Sequence, residues 1–384
     1  MEDVSALIQE AIPSADAADP PAELTAPAKI RIILQRMSGE ESEVHLPADA
    51  TLQDLRKEVE TSSTVGQCAF RLLFNGTPLG WTASAALTLA ELGITDGSVL
   101  ILMKEPSRNY ARIEKPEYVL RSDQYPNGLA FDPRGRLAVA HYYGSLEVWD
   151  TDFATKLYKG QMGGGSEPSQ ICFSPGGELV VAFRSGYVQL LAPDDYSPKG
   201  PPLRPPSDAF HPSGLAVVGD RVFVSCSRTS TLHQFSLRDG SHLEQRKGGS
   251  YWELQEPSGM AVIEDRILAI ADRGLHRVLL LDAESLDFHG MVPDPQTWRS
   301  KAAPGALRKP NDVAVDAAGN LLVMDTQNER VAVYRQDGTL VASVMQGFFK
   351  DKGNTFSYLS CNHETGHIAI SNNDEHRVAV LAPP

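Results

Sequence analysis

The sequence predicts a multidomain chain in which a small α+β domain precedes a larger all-β domain made of repeats. Three observations lead to this prediction. The chain has 384 residues, which suits two domains better than one. Residues 28–104 pass from strand-like alternation to a helical pattern and back to alternation. From residue 118 to the end, one strand-rich unit recurs roughly every 40–50 residues, the period of a repeat architecture.

The first 27 residues are predicted to form a disordered acidic tail. Residues 1–25 carry six acidic side chains and no Lys or Arg, and the run 13–21 is rich in Pro, Ala and Asp. Such a composition buries too little apolar surface to offset the entropy lost on ordering. Neither a signal peptide nor an apolar run of about 18 residues is visible. We therefore expect a cytoplasmic protein without a membrane span, with the nucleus as the alternative location.

Residues 28–104 follow the order β-β-α-β-β. Apolar side chains alternate over 30–34 and again over 44–46, on either side of a turn, which predicts a hairpin. Thr51 and Asp54 have the spacing of a capping box at the start of a helix. A strand over 70–74 and a final strand over 99–103 complete the domain.

Three segments in this domain carry a resemblance to a known family. In the first segment, the strand is followed by Asn75-Gly76, a dipeptide that is the strongest short signal for a hairpin turn. The segments are Arg-Leu-Leu-Phe-Asn-Gly-Thr-Pro-Leu at 71–79, Thr88-Leu89 leading to Leu-Gly-Ile at 92–94, and Asp-Gly-Ser-Val-Leu-Ile-Leu at 96–102. Through them the region resembles ubiquitin, which implies a ubiquitin-like β-grasp domain at 28–104.

The ubiquitin resemblance implies a docking module rather than a conjugated tag. Conjugation needs a terminal Gly-Gly, whereas residues 104–107 read Lys-Glu-Pro-Ser. The family's docking surface is an apolar patch on the sheet, and we match it to Leu73, Leu100 and Leu102. Exposed apolar patches tend to mark interaction sites. The partner implied is a ubiquitin-pathway receptor or ligase; the alternative is that this face packs on the second domain.

The region 118–384 is predicted to be a six-bladed β-propeller. Each unit opens with a short polar segment, usually after a proline, and continues as apolar strands joined by Gly-containing turns. The opening prolines lie 42, 44, 45 and 53 residues apart, and a sixth, degenerate opening starts at Thr355; the prolines are Pro126, Pro168, Pro212, Pro257 and Pro310. Six openings predict six blades, after a linker at 105–117.

The best-defined repeat, at 310–331, resembles an NHL repeat, and the segments 272–278 and 373–378 are looser copies. Trp149-Asp150 imitates a WD repeat only once. The resemblance implies an NHL-type propeller. The last unit ends after its third strand, so we predict that the segment 117–121 supplies its outer strand and leaves no unpaired sheet edge.

Charge and cysteine spacing limit the functional classes. Net charge is −14, and no segment has the basic excess that nucleic-acid binding leaves. An RNA-binding NHL propeller stays an alternative because Arg221 and Arg228, and the basic residues between 299 and 309 beside Trp298, form local clusters. The four cysteines are isolated, so the sequence predicts neither a zinc site nor a disulfide framework, and no cofactor.

Two enzyme classes also share this predicted architecture. Gluconolactonase-like propellers hold a divalent cation, and Asn311-Asp312 fits their Pro-Asn-Asp element. The other openings, however, supply few charged oxygens, which a hard cation needs. Peptide-amide lyases hold zinc with histidines, but His363 and His367 are predicted to lie in a hairpin turn. We therefore expect no enzyme, with a metal-dependent hydrolase as the alternative.

These observations predict a monomeric, non-enzymatic adaptor that binds proteins or peptides. Its ubiquitin-like domain would dock on a ubiquitin-pathway receptor, and one face of the propeller ring would bind a second partner. That face is predicted to consist of the blade openings, namely Asn127, Ser169, Ser213, Ser258, Asn311 and Asp312.

Overall fold

The computed structural model describes residues 29–36, 38–61, 70–75, 77–79, 88–104, 110, 113, 115–162, 167–206, 209–300, 303–345 and 357–384. The predicted acidic tail and Cys68 lie outside these residues. Within the described ranges, each helix is too short or too polar to cross a membrane.

The N-terminal domain is a five-stranded sheet covered by one helix. Its elements are β1 (Lys29–Arg36), β2 (Glu41–Pro47), α1 (Leu52–Thr61), β3 (Phe70–Phe74), β4 (Thr77–Pro78) and β5 (Val99–Lys104). The strand order is β2-β1-β5-β3-β4; β1 runs antiparallel to β2 and parallel to β5. A helix packed across such a mixed sheet is the β-grasp arrangement, which confirms the predicted α+β class.

A capping box starts the helix of this domain. The Thr51 backbone N–H donates to Asp54 Oδ2 at 2.9 Å, and the Asp54 N–H donates to Thr51 Oγ1 at 3.2 Å. These bonds satisfy two helix-start donors. The Thr51 hydroxyl, which donates to Asp54 Oδ2 at 2.7 Å, and then the Thr51 backbone N–H hold the pKa of Asp54 below its usual value. The helix then buries Leu52, Leu55 and Val59 against the sheet, which fixes which sheet face is solvent-exposed.

The C-terminal domain contains six antiparallel four-stranded sheets in the described part of the chain. Each sheet is a blade, and consecutive strands within it are neighbours. Blade 1 contains β7 (Pro126–Phe131), β8 (Leu137–His141), β9 (Ser145–Trp149) and β10 (Lys156–Gln161); blade 2 contains β11 (Pro168–Phe173), β12 (Leu179–Phe183), β13 (Tyr187–Leu191) and β14 (Pro198–Leu203); blade 3 contains β15 (Pro212–Val218), β16 (Arg221–Cys226), β17 (Thr231–Ser236) and β18 (His242–Arg246).

The remaining blades follow the same plan. Blade 4 contains β19 (Pro257–Ile263), β20 (Ile267–Asp272), β21 (Arg277–Asp282) and β22 (Phe288–Val292), followed by α2 (Pro295–Arg299); blade 5 contains β23 (Pro310–Val315), β24 (Leu321–Asp325), a 3-10 turn (Thr326–Asn328), β25 (Arg330–Tyr334) and β26 (Leu340–Val344); blade 6 contains β27 (Leu359–Cys361), β28 (Ile368–Asn372) and β29 (Arg377–Leu381) with β6 (Tyr118–Arg121). The six-bladed propeller predicted from the repeat period is confirmed.

Strand β6 closes the ring. It pairs antiparallel with β29, in the register Leu120 with Val378, and so becomes the outer strand of the last blade. Leu120 is 6 % exposed and packs in a cluster shared by blades 1 and 6, whereas Val119 is 43 % exposed. The predicted closure is confirmed, and the outer side of β29 is paired.

Antiparallel order gives the ring two distinct faces. Turns between the first and second strands of each blade lie on one side, which we call the lower face; turns between the second and third strands lie on the other, the upper face. On the lower face, Asp132 Oδ1 accepts the backbone N–H groups of Arg134 and Arg136 at 2.9 and 2.8 Å. Asp316 does the same in blade 5. These aspartates explain the Asp-rich turns of the sequence.

Tyr110, from the predicted linker, packs on the propeller. Its ring is buried between blades 5 and 6, and its hydroxyl donates a hydrogen bond to the carboxylate of Asp316. Ile113 adds to the same cluster. The chain is therefore fixed to the lower face a few residues after β5 ends.

Candidate functional site

On strand β5, the exposed apolar side chains of the ubiquitin-like domain lie one position away from the predicted ones. Leu100 and Leu102 are 0 % and 1 % exposed and belong to the core beneath α1, so their assignment to a docking surface is wrong. Side chains alternate along a strand, and the neighbours of these two leucines therefore face outward. Leu73 pairs with Ile101 across β3 and β5, and Val99 is 44 % exposed.

Together with Ile33 on β1, which pairs with Val99, these side chains form a continuous row across three strands. We call Ile33, Leu73, Val99 and Ile101 the outer patch. Leu73 keeps its predicted place on this face; its role in binding stays a prediction.

The predicted propeller face is largely buried. Asn127, Ser169, Ser258, Asn311 and Asp312 are buried, and only Ser213 is partly accessible. The prediction that these residues form an exposed binding surface is therefore wrong. The physical reason is that the polar group at the start of an innermost strand points at the next blade.

These opening residues hold adjacent blades together. Asn127 Nδ2 donates to the carbonyl of Pro168 in blade 2 at 2.9 Å, and Asn311 Nδ2 donates to the carbonyl of Ser357 in blade 6 at 2.9 Å. Asn373 Nδ2 of blade 6 reaches Asn127 Oδ1 at 2.9 Å, across the ring closure. They are structural hydrogen bonds between repeats.

Asp312 lies at the centre of the ring in a hydrogen-bond network with Gln170. Asp312 accepts bonds from Gln170 Nε2 at 3.0 Å and from the backbone N–H groups of Val313 and Leu359 at 2.9 and 2.8 Å. Gln170 Oε1 in turn accepts the N–H of Leu215 at 2.6 Å. Burial raises the pKa of Asp312 to about 8, against the opposing effect of these donors.

Gln170 also bonds to the backbone of Met260 in blade 4 at 3.2 Å, so the network joins blades 2 to 6. Both Asp312 oxygens have a protein donor. Among the described residues, no three His, Cys, Asp or Glu side chains form a group suited to a metal ion. Asp312 is thus a central structural group, and the Asn311-Asp312 element does not show the ligand set expected of a gluconolactonase-like cation site.

Three arginines converge on the upper face. Arg184, Arg228 and Arg273 occupy the turn between the second and third strands of blades 2, 3 and 4. With other polar groups they line a cavity of about 230 Å³, which we call the arginine pocket; its remaining lining residues are His211, Ser213, Ser227, Glu256 and Ser258. Sequence reasoning named only Arg228 of the three.

The positive charge of the pocket affects its histidine. Burial, followed by the nearby Arg184 and Arg228, lowers the pKa of His211, which favours the neutral imidazole. The guanidinium of Arg184 is oriented by a bond from Nη2 to the hydroxyl of buried Tyr358 at 3.1 Å. Ser213 Oγ donates to Ser227 Oγ at 2.6 Å on the opposite wall.

An aromatic cluster lies on the upper face of blades 1 and 6. Tyr125 contacts Tyr142, Tyr143 and His376, with ring centroids 6.3, 6.4 and 4.3 Å apart. Tyr143 is 58 % exposed. The Tyr142 hydroxyl donates to Glu167 at 2.9 Å, and the charge of Glu167 acts on Arg184. The cluster is thereby linked to the arginine pocket.

Ser122, His141 and Glu147 resemble a catalytic triad, a feature that sequence spacing could not reveal. Ser122 Oγ lies 3.2 Å from His141 Nδ1, and Glu147 lies 3.6 Å from His141 Nε2. His141 is 1 % exposed, so a substrate has no access to it. Burial acts to raise the pKa of Glu147, but contacts with His141 and Lys156, the latter at 2.7 Å, lower it to about 2. The group is a buried ion-pair network.

Two further predicted clusters have structural contacts. His363 is exposed, and His367 Nδ1 lies 2.8 Å from Thr365 Oγ1 in the predicted hairpin turn. Trp298 donates from Nε1 to the carbonyl of Leu275 at 2.6 Å, so the insertion after blade 4 packs on the neighbouring turn.

Comparison with known proteins agrees with this architecture. The ubiquitin family model matches residues 30–107. The chain therefore contains a ubiquitin-like domain followed by a six-bladed β-propeller. None of the curated proteins compared with it matches. The NHL type of the repeats stays a prediction.

Several solved propellers are similar to the chain at low identity. The WD40 β-propeller domain of Doa1 is 12 % identical, with 70 % of this chain and 97 % of that chain covered and a TM-score of 0.49. Virginiamycin B lyase from Staphylococcus aureus is 10 % identical, with 70 % and 99 % covered and a TM-score of 0.49. The β-propeller domain of Cps50 (Swd1) from Myceliophteria thermophila is 13 % identical, with 67 % and 82 % covered and a TM-score of 0.48.

Proposed function

We propose that this chain is a non-enzymatic adaptor. Its ubiquitin-like domain docks through the outer patch on a receptor or ligase of the ubiquitin pathway, and the upper face of its propeller binds a protein or peptide. The observation that carries the proposal is the presence of exposed Tyr125, Tyr143 and Arg228, with partly buried Arg184 and Arg273, on one propeller face of a chain that also has a ubiquitin-like domain.

The outer patch supports docking by the first module. Ile33, Leu73, Val99 and Ile101 present an apolar row on the sheet face opposite α1. Apolar rows on an exposed face are typical of interaction sites. Conjugation is disfavoured because residues 104–107 provide no Gly-Gly.

The upper face supports binding by the second module. Tyr and Arg are the residue types most enriched among the side chains that dominate binding energy at protein interfaces, together with Trp. Here Tyr125 and Tyr143 stand on blade 1, and Arg184 and Arg228 stand on blades 2 and 3. Tyr143, Arg184 and Arg228 lie on short turns between paired strands, and Tyr125 lies on the short connection from β6 to β7. The scaffold therefore fixes their positions before a ligand arrives.

The arrangement of ionisable groups disfavours the two rival classes. The buried positions of Asp312 and His141 give a hydrolase no accessible acid, base or metal ligand at those points. An RNA-binding surface would need an extended basic track. Beside the arginines of the upper face lie Glu167 and Glu256, which reduce the local positive charge.

A purified-component binding assay tests the docking half of the proposal. The full chain is immobilised, and a panel of purified ubiquitin receptors, including proteasomal subunits, is passed over it. We expect at least one receptor to bind, and Ile101→Ser to weaken that binding at least about tenfold, because a buried apolar contact at an interface centre contributes about 1–3 kcal/mol.

Glu41→Ala, on edge strand β2, is the matched control and should bind as the parent does. Thermal unfolding of each variant shows whether the domain stays folded. Binding that is equal for Ile101→Ser and the parent, or a complete lack of binding by the parent, would contradict the docking role of the outer patch.

A further inference from the structure

We propose that the arginine pocket binds one oxyanion group of a peptide ligand, either a carboxylate or a phosphoryl group. This inference deepens the proposed function and rests on it, because it specifies the chemistry that the upper face recognises. The ligand's remaining residues would extend over the neighbouring tyrosines.

The charge balance of the cavity is the first argument. Three guanidinium groups, from Arg184, Arg228 and Arg273, share the lining with a single carboxylate, that of Glu256. Burial and the nearby arginines lower the pKa of His211, which favours its uncharged form. The cavity therefore has an excess of two positive charges within about 230 Å³, room for one anionic group and part of its side chain.

Hydrogen-bonding capacity is the second argument. Guanidinium groups bind carboxylates and phosphates through two parallel N–H bonds, which gives both affinity and orientation. Ser213, Ser227 and Ser258 place three hydroxyls on the same cavity. Ser213 and Ser258 already donate to Ser227 Oγ and to Asn311 Oδ1, at 2.6 and 3.3 Å. The Ser227 hydroxyl can rotate its proton toward an oxygen of the ligand and so add to the guanidinium donors.

Fixed geometry is the third argument. The bond to Tyr358 orients Arg184, and the backbone N–H of Ser227 donates to Ser213 Oγ at 3.1 Å, which fixes the turn that carries Arg228. Arg184, Arg228 and Arg273 occupy equivalent turns in three consecutive blades, so ring symmetry directs them toward one point. A preformed site loses less entropy on binding.

The surroundings favour a single anion over a polyanion. Glu167 lies close enough to Arg184 for its charge to act on it, and Glu256 borders the cavity. The whole chain has a net charge of −14. A nucleic-acid backbone gains its affinity from many phosphate contacts along an extended basic track, whereas this cavity offers an excess of two positive charges. The exposed Tyr143 and Tyr125 suit the uncharged flanks of a peptide.

Titration of the full chain with small anions tests the pocket directly. Inorganic phosphate, O-phosphoserine and N-acetyl-glutamate are added at constant ionic strength, and binding is read from chemical shifts of arginine Nε–Hε groups and from the melting temperature. We expect saturable binding with a dissociation constant of about 1–10 mM, ordinary for such small fragments. A preference for phosphoserine or for acetyl-glutamate identifies the source of the oxyanion, and either preference supports the proposal.

The decisive variant is Arg228→Gln, because Arg228 is exposed and its loss does not disturb the core. We expect it to weaken anion binding at least about tenfold. Arg238→Gln is the matched control: it removes the same charge from the same blade, at an exposed pair with Asp220, and should bind as the parent does.

Three results would overturn the inference. They are no saturable binding of any of the three anions, equal weakening by both arginine variants, or tight binding of an eight-nucleotide oligouridine by a chain that ignores phosphoserine and acetyl-glutamate. The receptor assay with Ile101→Ser is independent of this pocket, so failure here and failure of the adaptor proposal are distinguishable.

Discussion

Replacing Leu120 with alanine is expected to destabilise the propeller at the point where its two ends meet. Leu120 is the buried side chain of β6, and it packs with Leu129 and Val139 of blade 1 and with Val378 of blade 6. The substitution leaves the backbone pairing of β6 with β29 intact. It removes the apolar contact that keeps the outer strand on the ring.

The magnitude follows from the burial of this side chain. Truncating a buried leucine to alanine costs about 2–5 kcal/mol, and an outer strand can relax, so we expect about 2–3 kcal/mol. For a domain of this size each kcal/mol lowers the melting temperature by roughly 2–4 °C. The expected decrease is therefore about 5–10 °C.

The assay is thermal or urea unfolding of the full chain, followed by tryptophan fluorescence. Val119→Ala is the matched control, since Val119 is the neighbouring residue and is 43 % exposed. Its melting temperature should fall by no more than about 2 °C. If both variants melt alike, β6 does not hold the ring closed by side-chain packing, and the reasoning above is refuted.

Two further substitutions test other parts of the structure. The pKa of Glu147 is lowered to about 2 in the fold, so its contribution to stability is present above about pH 4.5 and is lost as pH falls toward 2. In Glu147→Gln, urea unfolding should lose much of this acid-side decline, whereas exposed Glu43→Gln should keep it. Tyr110→Phe removes the hydroxyl that donates to Asp316 and should cost about 1–2 kcal/mol of unfolding free energy. Tyr251→Phe, at an exposed tyrosine, should be neutral, and equal costs would contradict an anchoring role.

The sequence predicted the architecture because local patterns and the global fold agree. The Thr51–Asp54 capping box, the spacing of the opening prolines and the extra strand at 117–121 each have a local physical reason. Repeats strengthen such predictions, because an ambiguous unit such as the one opening at Thr355 is interpreted by its neighbours. Thr355 itself lies outside the described residues.

The binding residues were harder to predict, for two separate reasons. Leu100 and Leu102 were assigned to the exposed face because a strand's period of two makes an error of one residue exchange its faces. Asn127 and Asn311 were assigned to a surface because their acceptors, on the next blade, are 41 and 46 residues away in sequence. Sequence spacing alone cannot tell a solvated amide from one that bonds between repeats.

The arginine pocket did leave a signal in the sequence. Arg184, Arg228 and Arg273 are spaced by 44 and 45 residues, nearly the spacing of the prolines that open the same blades. A basic residue that recurs at the repeat period occupies the same turn in successive blades. Searching a repeat sequence for charges in phase with its period would have found all three.

The burial of Tyr110 on the lower face determines how the two modules can cooperate. Only the residues 105–109 separate the end of β5 from this anchor, so they span at most about 20 Å whatever their conformation. The ubiquitin-like domain is thus tethered to the lower face near blades 5 and 6. The arginine pocket opens on the upper face at blades 2–4. A single partner that engages both sites must therefore reach from the lower face to the upper face. The short tether raises the local concentration of a protein bound to the ubiquitin-like domain around a protein bound to the propeller.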